Sequence, residues 1–131
     1  MAWQTYSLDQ KAQQLVLDAR ERDPQSLNQA YKMRMATAYG LERFWGEHLR
    51  LQGKEQTKSD LWKQTWDALV EVMKQAGVTL PNDDITNTEN TAAIRTMSDK
   101  LWQIHVDDQR VALAVLTQLC DCIVWWTQRY K

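Results

Sequence analysis

The sequence predicts an all-α protein: a single-domain bundle of about five helices, mostly antiparallel, over residues 1–131. Three observations predict it. Only four Gly and two Pro interrupt 131 residues, too few breakers for a chain of many short strands. Gln, Ala, Leu, Lys and Arg are plentiful while β-branched residues are modest in number, and the straight-chain types lose little freedom in a helix. Apolar residues recur at three- and four-residue spacing in successive segments, the period of a helix with one buried face.

Composition bounds the function. With 44% hydrophobic and 25% charged residues the chain is ordinary for a globular protein, and its length suits one core. Sixteen Lys and Arg against 17 Asp and Glu leave a net charge of -1, so any contact with nucleic acid must come from local segregation of charge. No uninterrupted apolar run reaches the ~18 residues of a membrane span, and MAWQTYSLDQ carries no apolar leader core. The expected setting is cytoplasmic, with no membrane partner. Cys120 and Cys122 lie about 200° apart on a helix, so they cannot pair with each other there, and they fit a reducing compartment as core thiols.

Taken in order, Trp3 and Tyr6 are placed to cover a core edge. Ser7 and Gln10 have the spacing of a capping box at the start of the first helix, whose apolar face is Leu8, Ala12, Leu15 and Ala19. Asp23-Pro24 ends it, because a residue before proline is pushed out of the α region. A second helix runs from Pro24 to about Leu51, with Asp23 as cap, Ser26 and Gln29 as a further capping box, and Gly53 just past its end. Its stripe is broad: Ala30, Met33, Leu41, Phe44 and Leu51 on one flank, Leu27, Tyr31, Ala38 and Trp45 on the next. Gly40 and Gly46 inside it each cost about 1 kcal/mol against Ala and point to close approach or a bend.

Thr57 or Ser59 caps the third helix, with Asp60 in its first turn. Leu61, Trp62, Thr65, Trp66, Leu69, Val72, Met73 and Ala76 form its inner face, and Gly77 ends it. The connection GVTLPNDDITNTEN is long enough to move or to bind something. Thr88 or Asn90 opens a fourth helix, lined inside by Ala93, Met97, Leu101 and Ile104 with Trp102 beside them. Asp107 caps the last helix, with Val111, Val115, Leu119, Cys122, Trp126 and Tyr130 as its core stripe. The adjacent Trp125 and Trp126 point about 100° apart, so one of them faces outward and is available to a partner protein.

No motif of catalysis stands out, and the chain is read as a non-enzyme without cofactor or metal. His48 and His105 lack ligand spacing to each other or to a carboxylate. Cys120 and Cys122 lack the two-residue spacer of a thiolate site. Asp83-Asp84 reads as a solvated loop and Asp107-Asp108 as a helix start. No phosphate loop or nucleophile elbow is present. The surface feature that remains is basic. On one continuous helix Lys32, Arg43, Arg50 and Lys54 fall within about 40° of one line, and Tyr39 lies along it. A basic stripe with an aromatic in it suits a nucleic-acid backbone. A plain solvated face, with Glu42 and Glu47 pairing Arg43 and Arg50, is the alternative.

Two segments carry a resemblance. QRVALAVLTQLCDCIVWWTQRYK is similar to the last helix of the small subunit of Cmr-type (type III-B) CRISPR–Cas complexes, through Arg110, Ala112, Leu116, Leu119, Trp125, Trp126, Arg129 and Tyr130. YGLERFWGEHLRLQGK resembles that family's Gly-Leu element, here Gly40-Leu41 followed by Phe44, Trp45, Leu49 and Lys54. The resemblance implies a non-catalytic helical subunit of an RNA-guided interference complex. Its copies would stack on one another, line the groove holding guide RNA and target RNA, and pack against larger effector subunits. It would place Lys32, Tyr39, Arg43, Arg50 and Lys54 toward RNA and Trp125 or Trp126 toward a neighbour. A helical protein–protein adaptor or regulator without a nucleic-acid role is the alternative.

Overall fold

The computed structural model describes the backbone of residues 2–131 and the side chains of residues 7–131. The expected roles of the Trp3 and Tyr6 side chains lie outside the described residues. The protein is all-α, with no strand among the described residues: α1 (Ala2–Arg22), α2 (Gln29–Ala36), α3 (Leu41–Leu51), α4 (Gln56–Gln75), α5 (Thr91–Trp102) and α6 (Val106–Tyr130), plus 3₁₀ turns at Pro24–Asn28 and Thr37–Tyr39.

The first helix is already under way at Ser7, so Ser7 is not its cap and the Ser7–Gln10 box does not form. Leu8, Ala12, Leu15, Val16 and Ala19 are its buried face. At the corner that follows, the Asp23 carboxylate accepts from the Gln25 amide at 3.0 Å and from the Thr57 hydroxyl at 2.7 Å. These two bonds, Thr57 first, hold its pKa below the usual carboxylate value and tie the end of α1 to the start of α4. Ser26 is buried and donates to the Asp23 carbonyl at 2.7 Å. It closes the corner and does not cap a helix.

The expected long second helix is two helices. After Ala36 the chain tightens into a 3₁₀ turn, and Gly40 takes φ 95°, ψ 177°, a region essentially closed to residues with a Cβ. Helix α3 restarts from it, with the Phe44 amide donating to the Gly40 carbonyl at 3.2 Å. Gly46 is different: a Cβ there would meet only Glu42 Oε2, at 4.0 Å, so it marks neither a bend nor a close approach.

A turn through Gly53, at φ 80°, folds α4 back on α3. Glu55 stands at the N-cap of α4 without a side-chain capping bond. Neither Thr57 nor Ser59 is the cap. Ser59 is instead buried between the helices, donating to the His48 carbonyl at 2.7 Å. Phe44 meets Trp62 with centroids 4.9 Å apart, so numbers fall on one helix as they rise on the other and the pair is antiparallel. The end of α4 is a Schellman motif: Val78 donates to the Met73 carbonyl and Gly77, at φ 87°, to that of Lys74.

The connection after Gly77 is anchored. Leu80 and Ile85 enter the core, Trp66 Nε1 donates to the Pro81 carbonyl at 3.2 Å, and Lys100 bridges both oxygens of Asp83 at 3.0 Å. Asn90 caps α5, accepting from the Ala93 amide at 3.1 Å. Trp102 does not lie beside the inner face of α5; it is 66% exposed. His105, not Asp107, caps α6, its Nδ1 accepting from the Asp107 amide at 3.2 Å, and Asp107 and Asp108 occupy the first turn, where the helix dipole favours carboxylates.

Helix α6 is the core helix, packed against α1, α2 and α4. Its 25 residues are long and apolar enough to cross a membrane by length and composition, but its inner face is committed to the core. That face is Ala112, Leu116, Leu119, Cys120, Ile123 and Thr127. Of the expected stripe only Leu119 is buried, and Val111 is half exposed. The stripe is displaced because partners lie on two sides of α6, which centres burial between them. The expected line is one edge of the buried face, the edge that meets α1. There Trp126 Nε1 donates to Asp9 at 2.9 Å and Gln13 donates to the Tyr130 hydroxyl at 3.0 Å. Both numbers rise together, so α1 and α6 run parallel. On the other side Lys131 reaches Asn28 and Arg34 reaches Asp121, so α2 runs antiparallel to α6.

The two interior glycines predict opposite responses. Gly40→Ala should destabilise the protein by about 1–3 kcal/mol, through backbone strain alone, since nothing lies within 4 Å of the added Cβ. Gly46→Ala should stabilise it by about 0.4–1 kcal/mol. Urea denaturation midpoints at constant slope check both.

Candidate nucleotide-facing cleft

The break at Gly40 removes the geometry on which the basic line was drawn. Lys32 is on α2, Tyr39 in the 3₁₀ turn, Arg43 and Arg50 on α3, and Lys54 in the turn beyond it. No single helix carries all five. Lys32, Tyr39 and Arg43 nevertheless meet, because the bend turns the line into the two walls of an open cleft of about 430 Å³. Met35 and Ala36 supply its apolar surface, buried Trp62 borders it, and Glu47 also lines it. Tyr39 is 65% exposed and Met35 61%, and the Arg43 guanidinium lies 5.0 Å from the centroid of the Tyr39 ring, a cation–π contact.

Arg50 and Lys54 do not line this cleft. Arg50 forks onto Glu47, with Nε at 2.9 Å and an Nη at 2.8 Å, the bidentate arrangement that a guanidinium makes with a carboxylate. The pairing of Arg50 by Glu47 weighed from the sequence is therefore present. That of Arg43 by Glu42 is absent among the ion pairs of the described residues; Glu42 accepts from the Ser98 hydroxyl at 3.1 Å. Glu55 lies close by: its hydrogen bond and charge contact with Lys58, followed by the charges of Arg50 and Lys32, hold its carboxyl below the usual range. Lys32 and Arg43 are in no ion pair among the described residues.

Sequence reasoning missed Trp62 and Met35 as parts of the site. Trp62 was legible only as a core residue, which it also is: fully enclosed at 2% exposure, with Nε1 donating to buried Gln29 at 3.1 Å. Met35 follows Lys32 by three residues, the spacing of neighbours on a helix face, and that was the available signal.

On α6, Trp125 is 55% exposed and Trp126 half-buried. Trp126 stands edge-on to Trp125, centroids 5.0 Å apart, and stacks on Tyr130 at 5.7 Å. Arg129 lies within 6 Å of all three rings. The two tryptophans, with Asp9, Asp121 and Cys122, border a second open cleft. The adjacent pair thus divides as expected, Trp126 inward against α1 and Trp125 outward. A further apolar corner, Trp102, Val106 and Val111, is exposed where α5 meets α6.

The remaining candidates are structural. Burial pushes the Cys120 thiol up to about 12 and raises that of Cys122, which disfavours the thiolate form of both. No group of three or more His, Cys, Asp or Glu among the described residues is arranged to hold a metal. His48 is buried, its Nδ1–H donating to the Trp45 carbonyl at 2.5 Å, which leaves Nε2 as the acceptor in the neutral ring. Nearby lie Gln52, Ser59, Asp60, Lys63 and Asp84 around a small polar cleft.

Burial lowers the His48 pKa from the ordinary 6.5; the bond to Trp45 and the charges of Asp67 and Asp84 oppose this, and Lys63 adds to it. The unfolded chain therefore binds more protons at this ring. The stability that follows is complete above about pH 6.5 and is lost as pH falls toward the folded value. His48→Asn, whose amide nitrogen can replace Nδ1, should flatten the fall in thermal midpoint between about pH 7 and pH 5 relative to the parent.

A scan against models of known protein families, a search of curated proteins and a search of solved structures each find no match to this chain.

Proposed function

We propose that the chain is a non-catalytic small subunit of a type III CRISPR RNA-guided interference complex, one that faces the guide and target RNA and packs against larger subunits. The observation that carries the RNA-facing part is the meeting of Lys32, Tyr39 and Arg43 around one open cleft. It supplies two cations in no ion pair among the described residues and an exposed ring, the kinds of group that meet a phosphate and a base. The type of complex rests on the resemblance of the Gly40-Leu41 segment and of α6. In this role residues 1–131 act as one bundle. Lys54 and Arg50 extend the basic surface beyond the cleft, Arg50 with its charge already shared with Glu47. Trp125, with Trp126 behind it, serves the contact with a neighbouring subunit or a second copy.

The adaptor role is favoured by a different observation. An exposed Trp125 beside an open cleft, on a chain of net charge -1, is the composition of a protein-docking surface. The two roles separate in one measurement. In filter binding at low salt, a single-stranded RNA should be bound and Lys32→Ala with Arg43→Ala should weaken it. The double change should also lower the salt slope by about 1.4, at ~0.7 per phosphate contact. Arg50→Ala should also weaken binding, indirectly, because it frees the Glu47 carboxylate that lines the cleft. Absence of RNA affinity, in the isolated protein and in the complex co-purified from its host, would sink the RNA-facing role. A stoichiometric protein partner lost on Trp125→Ala would then establish the adaptor.

A further inference from the structure

We infer that the cleft between α2 and α3 holds a nucleobase together with its phosphate, one unstacked nucleotide per chain. This rests on the RNA-facing role and narrows it: the strand presents a splayed base here, not a paired one. The walls carry the inference. A paired duplex offers phosphates and keeps its base faces covered, which would leave the apolar surface of Met35 and Ala36 without use. A free base fits that surface, and the Tyr39 ring with the Arg43 guanidinium against it at 5.0 Å is a planar platform of the kind bases stack on. Tyr39 is held out at 65% exposure on the 3₁₀ turn that ends at Gly40.

Charge points the same way. Glu47 would repel a phosphate, but both its oxygens are taken by Arg50, at 2.9 and 2.8 Å. The charges left facing the cleft are Lys32 and Arg43, which select an anion. The size is right for one nucleotide: about 430 Å³ lies at the small end of ligand sites, which run from roughly 300 to 1,000 Å³. The ligand is therefore planar, aromatic and anionic, and two sources could supply it, a residue of an RNA strand or a free nucleotide.

The test uses the full chain and three probes: a single-stranded RNA with one 2-aminopurine, the same RNA annealed to its complement, and AMP. Anisotropy reads affinity, and 2-aminopurine emission reads stacking of the base. The single strand should bind tighter than the duplex, with its emission changed on binding. Tyr39→Ala should weaken the single strand by about tenfold, within the range of one base–aromatic stack, and leave the duplex unaffected. Tyr39→Phe should restore binding, because the ring and not the hydroxyl is used. Lys32→Ala should weaken both RNAs. If AMP competes, the cleft also takes the free nucleotide; if it does not, the strand is the source. RNA binding in which Tyr39→Ala alters single strand and duplex equally, or neither, overturns the inserted base and leaves the RNA-facing role standing. AMP binding without RNA binding keeps the cleft assignment and removes the RNA-facing role. Binding of none of the three overturns both.

Discussion

One backbone torsion governs the middle of this molecule. Gly40 at φ 95° ends the helical segment that packs on α6 and begins the one that packs on α4. Without the turn, a single rod from Pro24 to Leu51 could serve only one of those partners. With it, Leu27, Ala30 and Met33 bury toward one side and Leu41, Phe44, Trp45 and Leu51 toward the other. The aromatic centre, where Phe44 meets Trp62 and Trp62 bonds Gln29, depends on that change of direction, because it joins residues from both sides of the bend.

The same torsion makes the cleft. Lys32 and Arg43 stand on separate helices, and the residues between them supply the apolar surface and the exposed ring. Had the helix continued, these side chains would form a ridge open to water on all sides, where ions are well screened and a base gains little. A concave arrangement excludes water from a ligand and strengthens each contact within it. The Arg50–Glu47 fork has a part in this, since Arg50, from outside the cleft, partners Glu47, the carboxylate among the residues that line it.

Most of the fold was legible. The three-and-four spacing marks the helices, and Asp23, Asn90, Gly53 and Gly77 mark their ends through chemistry that is local to each. What was not legible has physical causes. A glycine in a periodic segment costs a helix only about 1 kcal/mol, so Gly40 and Gly46 read alike; tertiary packing alone decides that one breaks the helix and the other stays within it. The buried face of α6 could not be centred from its own periodicity, because Ala112, Leu116, Cys120 and Ile123 compete with Val111, Val115 and Cys122 until the partners are known. Of the candidate site, Lys32, Tyr39 and Arg43 were found through a straight-helix argument whose geometry does not hold. They meet because the bend spans only the residues between them. Trp62 was out of reach, since a cleft wall contributed by another helix leaves no local trace.

The parallel pairing of α1 and α6 has a consequence for how the molecule is made. Asp9 with Trp126 and Gln13 with Tyr130 are each separated by 117 positions, so the contacts that join these helices span nearly the whole chain. Such closures are entropically late and slow the approach to the native state. During synthesis α1 emerges well before α6 and stays without its main partner until α6 has left the ribosome. Until then Leu8, Ala12, Leu15 and Val16 have only α4 and the Pro24–Asn28 turn to pack against, and the nascent protein is open to chaperones and to misassociation in a way the finished one is not.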